Sequence, residues 1–240
     1  MKRLETVSVV IPARNEARAI GAVVGGILLH VPEPREVVVV DDGSDDGTAD
    51  EAAGAGARVI RRRRAGGKGV AVRDALAVAT GDVVLLIDGD GQDDPADAPR
   101  ILAAMRPGVA MAIGSRFLGT IAEGGITRVN RAANLSLTAL FNVLYGTALT
   151  DTQAGFRAVR RAAVPLDRLR ASAYELETEL TALAVRAGGR IVEVPVGRYA
   201  RNGGETSFVR PYHGTRILFS MAAGALSWRL ARIAATGGPT

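Results

Sequence analysis

The chain has no cysteine among its 240 residues. Disulfides, thiolate nucleophiles and Cys-based metal sites are thereby excluded, and a reducing compartment is permitted. Histidine is nearly absent. His30 and His213 are the two in the chain, too few for a His-rich metal site, and each is expected to be structural. Aromatic residues make up 4%, which argues against nucleic-acid binding by base stacking. Lys2 and Lys68 are the only lysines, so nearly all the positive charge is arginine. The planar arginine fork takes two phosphate oxygens at once. No run reaches the roughly 18 apolar residues that a membrane span requires. Val7–Ile11 is too short for the core of a signal peptide. The expected location is cytoplasmic.

What is present is an ordinary globular composition, 48% hydrophobic and 23% charged, with a net charge of +5. The length suits one large domain with a full core. The isoelectric point near 10.2 admits phosphate ligands, nucleic acid or an anionic membrane as partners. Apolar runs alternate with helical patterns. Strands are expected at Val7–Ile11, Val37–Val40, Arg58–Ile60, Val83–Ile87, Val109–Ile113, Ala154–Val159 and Ile191–Val196. Helices are expected at Ala17–Leu29, Thr48–Ala55, Val70–Ala79, Pro95–Met105, Arg131–Tyr145, Glu175–Ala187 and Thr215–Ile233. This alternation implies an α/β, doubly wound, mostly parallel sheet with helices on both faces. No linker divides it. Residues 1–210 and the helical segment 211–240 are read as one domain, with a frayed tail from Thr236.

The most informative stretch is Asp88-Gly89-Asp90, with Gln92, at the end of the buried run Val83–Ile87. Ligands of parallel α/β sheets bind at the carboxyl ends of strands. Paired carboxylates there call for positive charge between them. Asp88, Asp90 and Gln92 offer only oxygen, which suits Mg²⁺ or Mn²⁺. Gly89 would let a phosphate approach the backbone. The plain alternative is an ordinary Asp-Gly turn. The loop Asp41-Asp42-Gly43-Ser44-Asp45-Asp46-Gly47-Thr48 offers carboxylates to a ribose or a base, with Asp46 or Thr48 capping the next helix. In Pro12-Ala13-Arg14-Asn15-Glu16, Asn15 is expected to cap and Glu16 to enter the first turn, which leaves Arg14 for a nucleotide. Gly66-Gly67-Lys68-Gly69 resembles part of a phosphate-binding loop without Walker spacing. Arg61–Arg64 reads as a solvated run, from which one or two arginines could reach a diphosphate. Asp151-Thr152-Gln153-Ala154-Gly155-Phe156-Arg157, and Arg198 with Arg201 before Asn202–Ser207, are anion-friendly loops or surface charge.

The order of these pieces resembles family 2 glycosyltransferases of the GT-A fold, and more narrowly the dolichyl- or polyprenyl-phosphate sugar transferases. The resemblance covers roughly residues 5–210. It implies that Asp42 meets the nucleobase, with Glu16 and the Pro12–Arg14 turn nearby, and that Lys68 reaches the donor. It implies that Asp88, Gly89, Asp90 and Gln92 hold metal and donor diphosphate. Arg116 and Arg201 would hold phosphates of donor and acceptor, and Arg131 and Ser136 the acceptor phosphate. Two departures stand out. Arg14 replaces an aromatic common beside the base, and Glu205-Thr206-Ser207 replaces Gly-x-Ser-Lys in the closing loop. Membrane-anchored relatives carry C-terminal spans, and this chain has no run of that length. Asp151-Thr152-Gln153 leans toward UDP-glucose over GDP-mannose as donor.

The implied reaction is hexose transfer to a lipid phosphate with inversion, a metal held by Asp90 and the nearby arginines stabilising the leaving diphosphate. A phosphate acceptor is already largely dianionic at neutral pH, with a second pKa near ~6, and needs no base. Asp151 is the candidate base for a hydroxyl acceptor; otherwise it orients Arg157 or the active-site loop. The alternatives are a soluble family 2 transferase acting on a hydroxyl, and a nucleotide-sugar-binding protein without turnover. Nucleic acid is disfavoured, because acidic strand ends repel a polyanion. In the last helix Leu218, Phe219, Met221, Ala222, Leu226 and Trp228 are flanked by Arg216, Arg229 and Arg232. Such a helix either lies on an anionic membrane, at its inner face, or packs on the domain or a second subunit.

Overall fold

Continuous runs rich in valine build the centre of the sheet. In the computed structural model, residues 5–201 and 210–236 are described, the side chains of 210, 211 and 231–236 excepted. Strand β1 is Val7–Ala13, β2 Glu36–Asp41, β3 Arg58–Arg61, β4 Val83–Leu86, β5 Val109–Ser115, β6 Arg157–Arg160 and β7 Arg190–Pro195. The helices are α1 (Ala17–His30), α2 (Thr48–Gly54), α3 (Lys68–Val78), α4 (Ala98–Ala104), α5 (Arg128–Tyr145), α6 (Leu176–Arg186) and α7 (Arg210–Thr236). The seven strands run in the order β3-β2-β1-β4-β6-β5-β7. β1, β2, β3 and β4 are mutually parallel, β5 pairs parallel with β7, and β6 is antiparallel to both its neighbours.

Both faces are covered, so successive residues of one strand enter different cores. Val9, Ile11, Leu85 and Ile87 pack under α1 and α4. Val10, Val84 and Leu86 pack against α3 and α6. This explains unbroken apolar runs where a one-sided sheet would alternate. The chain leaves β1 toward β2 on one side and returns through α3 to β4 on the other. The loops after β1 and β4 therefore diverge, and a crevice opens at the switch point.

Element boundaries differ from expectation where side chains intervene. The Pro95–Met105 helix is a 3₁₀ turn, Pro95–Asp97, followed by α4, and Asp94 caps the turn by accepting from the Ala96 N–H at 2.9 Å. Helix α5 starts three residues early, because Thr127 accepts from the Asn130 N–H. Its end is set by Gly146 in the left-handed region.

β6 begins at Arg157, which is fully buried. Its guanidinium donates to the carbonyls of Thr152, Ala154 and Glu177 and to Thr181 Oγ1. It ties the segment before β6 to the start of α6. Arg157→Met would strand these acceptors in a dry interior. An unpaired buried polar group costs about 1–3 kcal/mol. The expected loss is about 3 kcal/mol or more in urea denaturation; a loss under about 1 kcal/mol would refute this role.

Candidate functional site

The first three loops of the sheet are laced together by side chains. Asn15 takes a left-handed backbone, φ 56°, which Asn tolerates better than most residues. Its Oδ1 accepts from the Asp45 N–H, and its own N–H donates to Ser44 Oγ. Asn15 thus does not cap α1. The donors at the α1 N-terminus go instead to the next loop, Glu16 N to Thr48 Oγ1 at 2.8 Å and Ala17 N to Asp46 Oδ2 at 3.2 Å. Glu16 sits at the N-cap position, just ahead of the first turn. Asp46 also accepts from the Thr48 N–H at the start of α2. Asp42 is buried, and its two oxygens accept from the Gly66 and Gly67 N–H groups at 2.8 and 2.7 Å. Arg62 pairs with Asp42 and Asp74, and Arg61 with Asp50, so these two of the four arginines have local partners.

The glycines of residues 66–69 serve packing. A Cβ on Gly67 would lie 2.4 Å from the Ser172 carbonyl, and one on Gly69 2.5 Å from that of Ala171. This corrects the phosphate-loop reading. Gly89 likewise faces inward, where a Cβ would meet Ala13 and Ile20 at 3.1 Å.

The crevice holds alternating charge. Lys68 Nζ bridges Asp88 Oδ1 and Glu177 Oε1, both at 2.6 Å. Burial opposes the charge on Asp88, but the ammonium holds its carboxyl below the usual range. Gly155 leaves room for this pair, since a Cβ there would stand 2.8 Å from Asp88 Oδ2. Pro12 lies beside them, lining a small cavity with Lys68, Asp88 and Glu177. Arg201 bridges Glu16 Oε1 at 2.6 Å and Asp90 Oδ2 at 2.8 Å. Burial, with the charges of Asp90 and Asp88 nearby, pushes the Glu16 carboxyl up to about 7 although Arg201 opposes the shift. Arg14 is exposed at the rim.

Gln92 is turned away from the two carboxylates. Its Nε2 donates to the Tyr199 carbonyl at 3.0 Å, and its Oε1 accepts from Arg198 at 2.8 Å. Arg198 also pairs with the buried Asp93 at 3.0 Å. Gln92 therefore pins the 198–199 segment, a correction to its reading as a metal ligand. Arg198 is likewise no surface charge. No group of three or more His, Cys, Asp or Glu is gathered as a metal site among the described residues. The donor set that fits a hard divalent ion is Asp88 with Asp90: oxygen only, at the end of β4 by the switch point.

A second cluster lies after β5. Asp151, fully buried, takes the Arg116 guanidinium in both oxygens, at 2.7 and 2.8 Å, and its Arg116 N–H at 3.2 Å. Asp151 thus orients Arg116, where the sequence pointed to Arg157 or the loop. The Phe117 ring carries Arg116 at 5.7 Å and Arg131 at 5.8 Å from its centroid. Ser136 is not brought to this cluster. It stands on the exposed side of α5, about 140° around the helix from Arg131. Asn202–Ser207 lies outside the described residues.

Sequence reasoning missed Glu177, Asp93, Phe117 and Glu193, which accepts from the N–H groups of Thr150 and Asp151. Nothing in their local sequence marks them, because each acts on a residue far along the chain.

Glu16 makes stability depend on pH. Unfolded, it ionises near 4.5; folded, at about 7. Between those values the folded state holds the proton longer, so this contribution to stability falls as pH rises through the window. Glu16→Gln removes it. In paired urea denaturations the variant should gain on the wild type between about pH 4.5 and about pH 7.5. A difference that stays constant across the window would contradict the shift.

Comparison with known proteins places this architecture. The profile of "Glycosyl transferase family 2" matches residues 8–165. The undecaprenyl-phosphate mannosyltransferase of Micrococcus luteus is 34% identical over 213 residues, 82% of this chain and 85% of that protein. The dolichyl-phosphate hexose transferase of Haloferax volcanii is 34% identical over 212 residues, 88% of this chain and 89% of that protein. Among solved structures, glucosyl-3-phosphoglycerate synthase of Mycobacterium tuberculosis, in complex with Mn²⁺, UDP-glucose and phosphoglyceric acid, superimposes with a TM-score of 0.72 at 25% identity. That match covers 92% of this chain and 80% of the other. The fold is that of the GT-A glycosyltransferases, and the chain belongs to glycosyl transferase family 2.

Proposed function

We propose that this glycosyltransferase moves a hexose, with inversion, from a nucleotide diphosphate-sugar of the UDP-glucose or GDP-mannose class to a polyprenyl or dolichyl phosphate. One observation carries the acceptor. The carboxylate hydrogen-bonded to the Arg116–Phe117–Arg131 cluster is Asp151, and both its oxygens already hold Arg116. A hydroxyl acceptor needs a base to take its proton. A phosphate dianion needs none, only cations that orient it. The relatives named for transfer to undecaprenyl and dolichyl phosphate support this reading.

On this reading the nucleoside lies over the loops after β1 and β2. Asp42 shapes its floor by holding Gly66 and Gly67, and Glu16, Pro12 and Arg14 form its edge. Asp88 and Asp90 would hold a divalent ion, Mg²⁺ or Mn²⁺, which supplies positive charge to the leaving diphosphate. Lys68 keeps Asp88 ionised for that task, and Gly89 keeps the turn packed against β1. Arg201, shared between Glu16 and Asp90, reaches the junction of donor and acceptor. Arg116, held rigid by Asp151, and Arg131 take the acceptor phosphate. The enzyme would work on the cytoplasmic side, held peripherally to the membrane where its acceptor resides.

The M. tuberculosis synthase carries phosphoglyceric acid, a small soluble acid, in its complex. Transfer to such an acceptor's hydroxyl is the second reading, and product analysis separates the two. The expected product has a sugar–phosphate linkage, labile to mild acid. Transfer to free polyprenol at a comparable rate would refute the phosphate acceptor.

Asp90→Ala should lower turnover by about a hundredfold or more. It should also abolish Mn²⁺-dependent binding of the nucleoside diphosphate in calorimetry. Unchanged affinity with Mn²⁺ present would remove Asp90 from the metal site.

A further inference from the structure

Lys68 stands where a helix does not favour it. It opens α3, and a positive charge at a helix N-terminus opposes the macrodipole. Close packing holds it there. Gly67 and Gly69 lie against the Ser172 and Ala171 carbonyls, and the Val70 N–H reaches the Ser172 carbonyl at 3.4 Å. Residues 171–172 lie just ahead of α6, so this contact sets the Lys68 ammonium beside Glu177 in the first turn of that helix. The macrodipole suits Glu177 to that position. Its carbonyl is fixed as well, accepting from Arg157 Nη1 at 3.0 Å and from Thr181 Oγ1 at 2.7 Å.

The ammonium is divided evenly between Asp88 and Glu177, at 2.6 Å from each. Little solvent is at hand to replace either partner. The cavity lined by Lys68, Asp88, Gly155, Arg157 and Glu177 has a volume of about 10 Å³, room for one water at most. An ammonium left unpaired in so dry a place is strongly disfavoured. Asp88 is the more open of the two carboxylates, its side chain 24% exposed against 7% for Glu177, so Asp88 is the one that an ion from the crevice reaches. The Asp88 Oδ1 is the atom that Lys68 holds. A divalent ion taken by Asp88 adds positive charge beside the ammonium, and the two repel. Asp90 has the same surroundings, since its cation, Arg201, is shared with Glu16. Each candidate donor thus has a cation in place and a second carboxylate to which that cation is already bonded.

We infer that Glu177 is a positioning residue for the divalent ion: it retains the Lys68 ammonium when Asp88 gives its oxygens to the ion. Asp88 then exchanges one cation for another, and no buried charge is left unpaired at either stage. This role rests on the reading of Asp88 with Asp90 as the donors to the metal. It differs from a fixed ion pair in that the share of Lys68 between its two carboxylates changes with metal.

Lys2 and Lys68 are the only lysines, so isotope labelling of the lysine ε-carbon gives two signals, and that of Lys68 is identified by its loss in Lys68→Met. Mg²⁺ added with UDP or GDP should shift the Lys68 signal and leave that of Lys2 in place, with the nucleotide alone as control. In calorimetry, Glu177→Gln should weaken Mn²⁺-dependent nucleotide binding by about tenfold or more. Glu177→Asp keeps the charge but shortens the reach, and should weaken it nearly as much. A charge acting only through space would leave that variant at wild-type affinity, which would overturn the inference. Lys68→Met removes the competing cation, so in its background Glu177→Asp should have no effect. Equal losses in both backgrounds would mean that Glu177 does not act through Lys68, and would overturn the inference as well. A wild type that binds nucleotide with Mn²⁺ while its Lys68 signal stays still under Mg²⁺ would overturn it whatever the variants do, and leave the metal reading intact. Nucleotide binding indifferent to Mn²⁺ would sink the metal reading and this role with it.

Discussion

Four carboxylates, Glu16, Asp88, Asp90 and Glu177, share one crevice with two cations, Lys68 and Arg201, and each cation bridges two of them. The rest of the site is arranged around this compensation. Unpaired carboxylates at the end of a buried sheet would take up protons or repel one another apart. Burial pushes the Glu16 carboxyl up to about 7, with Asp90 and Asp88 adding to the shift and Arg201 opposing it.

Around the crevice, rigidity comes from side chains that satisfy backbone groups of other loops. Asp42 holds Gly66 and Gly67, Thr48 and Asp46 serve the start of α1, and Gln92 holds the 199 carbonyl. The loops after β1, β2 and β3 are thereby cross-linked into one floor, and Arg201 joins the loop after β4 to Glu16. The cluster after β5 follows the same logic at longer range. Glu193 of β7 takes the Thr150 and Asp151 N–H groups, Asp151 takes Arg116, and Arg116 lies over Phe117 beside Arg131. An arginine fixed by a bidentate carboxylate presents its remaining N–H groups in a set direction, which suits phosphate recognition.

Helices α5 and α7 obey a different constraint. Their inner rows close a small third core with α6, while Val143 and Phe219 on the opposite sides stay exposed. Packing on the domain is thus one of the two alternatives the sequence left for the last helix, and its inner row takes it.

The sequence by itself determined the architecture and the loops that matter. Continuous valine runs require a sheet covered on both faces, and carboxylates placed where such runs end locate the crevice. Asp88 and Asp90 were singled out for that reason, and Arg116 and Arg201 through the resemblance to family 2 glycosyltransferases. What only the tertiary structure decided was who partners whom. Asn15 and Gln92 carry side chains that hydrogen-bond equally well to several groups, so local sequence could not say that one braces Asp45 and the other Arg198. The glycines of 66–69 were read as making room for phosphate, yet the room is taken by the 171–173 backbone, more than 100 residues away. The antiparallel direction of β6 and the burial of Arg157 beneath it have the same origin. Hydrophobic periodicity is a property of neighbouring residues along the chain. Charge pairing and close backbone approach depend on distances across it, and those exist only once the sheet has formed.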